Sequence, residues 1–330
     1  MLLRLALTRH RDLALNAPTL SQQIATQAER LGFAACGIAK ADFLPETAQR
    51  IEQWLAESCE GEMRYLQRNK EKRYDPRLLV EGTQSIVSVL YNYYPAKALN
   101  SHGNYKIAKY AYGKDYHIVL KDKLMQLLNF IESLTGKLEG TRAFVDSAPV
   151  VDRAWAERCG LGFIGKNTAL IHPKKGSFFF IGHLFLPIAL PSIGMPVSNR
   201  CGRCTKCLDA CPTHALDKPF HIDARKCISY LTIEYKGSLE GQDPSLFNDW
   251  IFGCDICQDV CPYNRFSVAN AEPLFQPSEQ LMSMRKADWQ QLDEARFKAI
   301  FQHTALERAG CEGLKRNVEF VASGTQPKED

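Results

Sequence analysis

No stretch of this 330-residue chain approaches the roughly eighteen consecutive apolar residues of a membrane-spanning helix. The opening MLLRLAL is apolar for seven residues, and Thr8-Arg9-His10-Arg11 then interrupts it. A small-residue cleavage site is missing, as is a twin-arginine pair ahead of an apolar run. Export is therefore not expected, membrane insertion is not expected, and the cytoplasm is the expected compartment. Internal repeats of about 20–50 residues and low-complexity tracts are also lacking, which excludes solenoids and linker-like chains. The net charge of +4 is too small to imply a polyanionic partner by itself. What remains is a globular composition, 45% hydrophobic and 24% charged. A chain of this length carries two or three domains at about 100–200 residues each.

Charge and cysteine are both unevenly placed. Residues 64–123 carry a local excess of +7, and Arg64, Arg68, Lys70, Lys72, Arg73 and Arg77 fall within fourteen residues. Such a patch suits RNA or a phosphate-bearing cofactor, or it is a solvated face. Eight of the 12 cysteines lie between Cys201 and Cys261. In a reducing compartment a dense cysteine cluster reads as a metal site rather than a disulfide scaffold.

The first half alternates helical and strand patterns, indicating an α/β layered domain. Leu20, Ile24, Ala28 and Leu31 keep helical spacing up to Gly32, and 34–39 reads as a short buried strand. Residues 45–57 read as a helix with Ile51, Trp54 and Leu55 inward, and SIVSVLYNYY at 85–94 as a strand. Residues 115–134 read as an amphipathic helix with Ile118, Leu124, Leu127, Leu128, Ile131 and Leu134 on its core stripe. Further strands are expected at 142–145 and 177–186, and helical pieces follow Pro273. The terminal SGTQPKED reads as a disordered tail.

Cys201-Gly-Arg-Cys204-Thr-Lys-Cys207-Leu-Asp-Ala-Cys211-Pro212 is the C-x2-C-x2-C-x3-C-P run of bacterial ferredoxins. Cys227 followed by Cys254-Asp-Ile-Cys257-Gln-Asp-Val-Cys261-Pro262 is the same run with its first cysteine displaced upstream. Two C-x2-C pairs can also make a zinc site, but zinc does not call for the whole run twice with its proline. Two [4Fe–4S] clusters are expected, the fourth cysteine of each run serving the other cluster. One would be held by Cys201, Cys204, Cys207 and Cys261, the other by Cys211, Cys227, Cys254 and Cys257. Cys36, Cys59, Cys159 and Cys311 read as small packing residues.

Three smaller motifs carry less. Gly160-Leu-Gly162-Phe-Ile-Gly165 fits G-x-G-x-x-G and, with Lys166-Asn167, nearly fits a P-loop. A helix pattern precedes it where a strand is required, so a glycine-rich loop lying against another flat cofactor is the better reading. Asp115-Tyr-His117 matches the first half of a cobalamin-ligating D-x-H-x-x-G, but Leu120 stands in the glycine's place and Asp115 suits a helix start. Asp146 follows a strand and is either a loop aspartate or, if burial raises its pKa, a proton donor.

The order GEMRYL, EKRYDPRLLVEG, VLYNYYP, YAYGKDYHIVLKDKL, VDSAPVVDRAWAERCGLGFIGKNT and the two cysteine runs resembles the tRNA epoxyqueuosine reductase family over about residues 20–320. The resemblance implies an N-terminal cobalamin-binding α/β domain (1–195) similar to that of reductive dehalogenases. A ferredoxin-like domain with two [4Fe–4S] clusters (196–266) and a helical C-terminal region (267–330) would follow. It implies reduction of epoxyqueuosine to queuosine, the last step of queuosine biosynthesis, at the wobble position of GUN-anticodon tRNAs for Asp, Asn, His and Tyr. Electrons would pass from a low-potential donor through the clusters to base-off cobalamin, with Asp146 protonating the departing oxygen. Cobalamin contacts carry over to Arg73, Ala108, Asp146, the turn with Lys166, Asn167 and Leu170, Ile181, Glu234 and Lys236. Ser147-Ala148 stands where the family often has Thr-Gly, so the carboxylate is kept while the loop after it differs.

A monomer is expected, with the 64–77 cluster contacting RNA phosphates. Longer members continue the helical repeat that begins at Leu306, so RNA contact from such helices is expected to be reduced here. The rival readings are a reductive dehalogenase-like cobalamin enzyme, a ferredoxin-type electron carrier and an RNA-binding protein with structural clusters.

Overall fold

A computed structural model describes residues 18–99 and 103–324, so the MLLRLAL opening and the final six residues of the expected tail lie outside it. Helix α1 (Leu20–Arg30) begins at a Thr19–Gln22 capping box and stops where Gly32 turns left-handed at φ +90°. Strand β1 (Ala35–Lys40) follows, then α2 (Pro45–Ala56), opened by its first-turn proline. Strand β2 (Ser85–Asn92) and the short β3 (Lys106–Ile107) lead to α3 (Tyr116–Thr135), whose cap, Asp115, accepts the His117 N–H at 2.9 Å. Next come β4 (Arg142–Phe144), α4 (Asp152–Arg158), and a hairpin of β5 (Phe163–Ile164) with β6 (Leu170–Ile171). Strand β7 (Phe179–Leu186) closes the first half, and α5 (Ile228–Ile233), β8 (Trp250–Phe252) and α6 (Gly310–Ser323) are the anchors of the second.

The main sheet has the order β1-β2-β7-β4 and is antiparallel throughout. Residues 85–91 of its central strand β2 are all buried. This explains why its sequence shows no polar alternation: both faces of the sheet are covered. Val87, Val89 and Tyr91 face α1 and α3, meeting Ile24, Ala28, Leu120 and Leu124. Ile86 and Leu90 face the other way, toward Trp155 of α4 and toward Ala156, Cys159 and Leu161. On α3 the expected core stripe holds at Leu124, Leu127, Leu128 and Ile131 and fails at its two ends. Ile118 and Leu134 are exposed, whereas Val119 and Leu120 are buried, because the helix lies against two surfaces at once.

The glycines of 160–165 are close-approach positions. A Cβ on Gly162 would sit 2.4 Å from the Ile171 carbonyl oxygen, and one on Gly160 would meet Gly194 at 2.8 Å. They let the β5–β6 hairpin fold tightly onto its neighbours, and no strand leads directly into a helix there.

A second core joins distant segments: Tyr105 to Tyr112, the α5 residues, β8, and Trp289, Phe301, Leu314 and Val318. The C-terminal helices therefore share a core with the segment between the cysteine runs. Asn317 of α6 is fully buried and donates from its side-chain nitrogen to the Thr232 and Ile251 carbonyls, both at 2.8 Å. Arg316 beside it donates to the carbonyls of Leu231, Tyr235 and Gly237. Asn317→Ala strands buried acceptors, so a loss of about 1–3 kcal/mol is expected. A lowered melting midpoint of the cluster-loaded protein is the check, and an unchanged midpoint would contradict it.

Candidate functional site

Two features meet in the middle of the molecule: a cleft around Asp146 and the cysteine cavities. Asp146 directly follows Val145 at the end of β4, in the left-handed region at φ +48°, a conformation that aspartate tolerates better than most residues. Tyr116, the first residue of α3, donates its hydroxyl to Asp146 Oδ2 at 2.6 Å. The Tyr116 ring stacks on Phe180 of β7 at 4.2 Å and on His117 at 4.1 Å. Solvent reaches Asp146, Tyr65 and Arg153, yet burial is the leading influence on the ionisation of all three. Side chains that are accessible but crowded by protein line a concave cleft.

In that cleft the Asp146 carboxyl is raised above the ordinary range, by burial first and by the neighbouring Asp152 charge second. The Tyr116 hydrogen bond, His117 and Arg308 pull in the opposite direction and do not cancel it. Asp152 Oδ1 lies 3.2 Å from His183 Nε2 without forming a hydrogen bond, and His183 Nδ1 lies 2.8 Å from Ser88 Oγ. Arg73 is buried, and its Nε has no hydrogen-bond partner among the described residues. Burial lowers its pKa, leaving an uncompensated donor beside the cleft. Glu234 pairs with Arg308 at 2.8 Å, and Lys236 donates to the carbonyls of Ile233 and Arg308. Glu234, Arg308, Asp146 and Arg73 all act on the Tyr65 hydroxyl, which places these segments around one space.

Cys201, Cys204, Cys207 and Cys261 line one cavity of about 260 Å³. Cys211 and Cys227 act on Cys254, and Cys254 and Cys227 act on Cys257, which gathers a second group. In both groups burial pushes thiols up, and the neighbouring sulfurs add to it. Two sets of four crowded, partly dehydrated thiols are a donor set for soft, iron–sulfur ligation, in which the metal replaces the protons. Lys166 and Asn167 also line the first cavity. Their side chains are already engaged, Lys166 Nζ with the Gly202 and Cys204 carbonyls and Asn167 Nδ2 with the Cys257 carbonyl. One residue further on, the Thr168 carbonyl accepts Arg153 Nη1 at 2.6 Å. This single turn touches the cysteine cavity through two residues and the cleft through the next.

Of the remaining expected contacts, Ala108 is buried against Gly253, Leu170 is buried on β6, and Ile181 is half-buried on β7. The cationic run at 64–77 splits up. Arg73 points inward, Lys70 pairs with Glu52, and Arg77 pairs with Asp75 and Asp42. Arg64, Arg68 and Lys72 remain exposed. The sequence reading missed Tyr116, Tyr65, Arg153 and Arg308. Tyr116 sits inside the Asp115-Tyr-His117 motif that was weighed for its histidine alone.

A thiol-rich module suited to iron–sulfur ligation, sharing a wall with a cleft that holds a carboxyl raised above its ordinary range, defines the class: an iron–sulfur oxidoreductase. The family described as "4Fe-4S double cluster binding domain" matches residues 200–264, and that described as "Epoxyqueuosine reductase QueG, DUF1730" matches residues 73–147. An epoxyqueuosine reductase of Cellulophaga algicola is 50% identical over 301 residues, covering 91% of this chain and 97% of that one. A crystal structure of epoxyqueuosine reductase with an epoxyqueuosine-modified tRNA-Tyr stem loop superposes with a TM-score of 0.82 at 29% identity, over 92% of this chain and 81% of that one. The Bacillus subtilis enzyme, in a structure whose catalytic aspartate loop is swung out of the active site, gives 0.82 at 30% identity over the same shares. The chain belongs to the epoxyqueuosine reductase family.

The balance at Asp146 has a directional test. Tyr116→Phe removes a hydrogen bond to the charged form, so the Asp146 titration moves up. Asp152→Asn removes a like charge, so it moves down. The protonated-carboxyl infrared band, followed against pH and assigned with Asp146→Asn, reports both. Shifts of the same sign in the two variants would contradict this account.

Proposed function

We propose that this chain reduces the epoxide of epoxyqueuosine in tRNA to the alkene of queuosine. Electrons would pass through two [4Fe–4S] clusters to a base-off cobalamin in the Asp146 cleft. The observation that carries the reading is the Asp146 carboxyl itself, raised by burial in a cleft whose wall is the turn that lines the cysteine cavity. The family supplies the substrate, since a relative of this fold takes an epoxyqueuosine-modified tRNA stem loop.

Cys201, Cys204, Cys207 and Cys261 would hold one cluster, and Cys211, Cys227, Cys254 and Cys257 the other. The unpaired Arg73 Nε and the aromatic lining fit a large polar cofactor, contacted further by Ala108, the 166–170 turn, Ile181, Glu234 and Lys236. Cobalamin supplies low-potential reducing equivalents to the epoxide carbon when bound.

The protein's own part is positioning and the proton. Tyr116 donates to Asp146 Oδ2, which leaves Oδ1 to carry the proton when the carboxyl is protonated. That proton goes to the epoxide oxygen as its carbon–oxygen bond breaks. Two electrons and two protons convert the epoxide to alkene and water, and the second proton comes from solvent. Asp146 sits in the left-handed backbone region, and in the Bacillus subtilis relative the catalytic aspartate loop is swung out of the active site. Arg64, Arg68 and Lys72 are the exposed cations of the 64–77 run available for phosphate contact, Arg64 adjoining Tyr65 in sequence. The substrates are the GUN-anticodon tRNAs for Asp, Asn, His and Tyr, met in the cytoplasm by a monomer fed by a low-potential donor protein. Among the described residues no helix is long and apolar enough to cross a membrane.

Anaerobic incubation with tRNA carrying epoxyqueuosine and a low-potential reductant tests the activity. Mass spectrometry of the nucleosides reads the loss of one oxygen. Conversion that depends on added cobalamin is expected, and its absence in cluster- and cobalamin-loaded protein would refute the reading. Asp146→Asn should cost about 10²–10⁴ in turnover while clusters and cobalamin are retained. Arg64→Ala with Arg68→Ala should weaken tRNA binding and lower the slope of log K against log salt by about 1 per lost phosphate contact. An unchanged slope would remove these residues from the RNA interface.

A further inference from the structure

Among the described residues, outside the cleft and the cysteine cavities, one group of metal-ligating side chains stands apart. Glu57 and Cys59 follow the last turn of α2, and His221 comes from the segment between Cys211 and Cys227. Cys59 Sγ lies 3.6 Å from His221 Nε2 and 4.0 Å from Glu57 Oε2, and His221 Nε2 lies 3.0 Å from Glu57 Oε2. A tetrahedral zinc with a sulfur at about 2.3 Å and nitrogen and oxygen at about 2.0–2.1 Å has corresponding edges of about 3.5, 3.5 and 3.3 Å. The three atoms already outline one face of that tetrahedron.

The other imidazole nitrogen supports the same reading. His221 Nδ1 lies 2.8 Å from Asp217 Oδ1, a hydrogen bond that fixes the ring and turns Nε2 toward Cys59 and Glu57. A carboxylate behind a histidine is the usual outer partner of a metal-bound imidazole. With Nδ1 held by Asp217, Nε2 faces the Glu57 carboxylate oxygen at 3.0 Å, a gap that either a proton or a metal ion can bridge. A proton there serves Glu57 alone, whereas a metal ion also engages the Cys59 thiol, which is only 2% exposed.

Glu57, Asp217 and Asp223 face this point with negative charge, against Lys218, 3.7 Å from Glu57, and Arg225, already paired with Asp223. The two contributing segments are fixed by their backbones. Ala224 N–H donates to the Cys59 carbonyl at 2.9 Å, and Trp54 Nε1–H donates to the Ile222 carbonyl at 2.6 Å. The ligands are thus presented by a rigid seam.

We propose that Glu57, Cys59 and His221 bind one zinc ion, with water in the fourth position and Asp217 orienting the histidine. Thiolate, imidazole and carboxylate together suit zinc, which imposes no geometry beyond the tetrahedron. On binding, the Cys59 proton is released to solvent and no electron is transferred. The ion fastens the end of α2 to the segment that carries Cys227.

The test uses zinc itself on protein with both iron–sulfur clusters loaded, so that the cluster cysteines are occupied. After dialysis one zinc per chain is expected. Its X-ray absorption edge should show one sulfur at about 2.3 Å and the remaining neighbours as nitrogen or oxygen. Cys59→Ser and His221→Ala should lose the zinc with iron content unchanged. Asp217→Asn, at an exposed position, should weaken zinc affinity by about 10–100-fold without disturbing the fold. Failure to retain zinc, a sulfur-only shell, or equal retention in the Asp217 and His221 variants would each overturn the assignment.

Discussion

The hydrogen bond from Tyr116 to Asp146 decides what the centre of this molecule can do. Burial and the neighbouring Asp152 carboxylate both push the Asp146 carboxyl upward, and this bond opposes the drift. The 2.6 Å bond holds that drift in check while burial keeps the carboxyl above its ordinary range. The bond survives because Tyr116 is itself immobilised, stacked almost parallel on Phe180 with an interplanar angle of 5°. Phe180 belongs to β7, the strand between β2 and β4, so the sheet positions the tyrosine while β4 delivers the aspartate. The position of the Asp146 carboxyl thus follows from strand order, and its raised pKa from the neighbours that this order brings.

The second half answers a different constraint. Eight thiols that must face one another in two groups come from short turns with little core of their own. They are fixed by what surrounds them: α5 and β8 between the runs, closed over by α6 through Asn317 and Arg316. The same clamp holds the 231–237 segment, and with it Glu234 and Lys236, so the C-terminal helix indirectly shapes the cleft. Lys109 plays a related role beneath the second run, 2.6 Å from Asp259 and 3.4 Å from the buried Asp255.

Much of this was legible in the sequence, and the failures have physical causes. The long helix, the buried strand at 85–94 and the cysteine runs were readable because each is a local pattern. The α3 stripe was misplaced at Ile118 and Leu134 because a helix wedged between two layers has no single apolar face. Asp146 could be singled out, but its partner could not, since nothing local links Tyr116 to a residue thirty positions away. Tyr65, Arg153 and Arg308 converge on the cleft only after the two halves dock. The Glu57, Cys59 and His221 group is invisible for the same reason: 162 residues separate the cysteine from the histidine.

The glycine-rich segment shows how one motif can mislead in kind yet be right in place. Its spacing imitates a phosphate loop, but its glycines exist so that the hairpin backbone can press against Ile171 and Gly194. That compression brings the 166–168 turn between the cysteine cavity and the Asp146 cleft. Lys166 and Asn167 spend their donors on the carbonyls of Gly202, Cys204 and Cys257, fixing the turn to the cysteine cavity. Thr168, left-handed at φ +62°, turns its carbonyl the other way to take Arg153, the neighbour of Asp152. The cysteine cavity and the Asp146 cleft are therefore joined through one hydrogen-bonded turn. Any shift of the cysteine region relative to the sheet must break these bonds before it can open that gap.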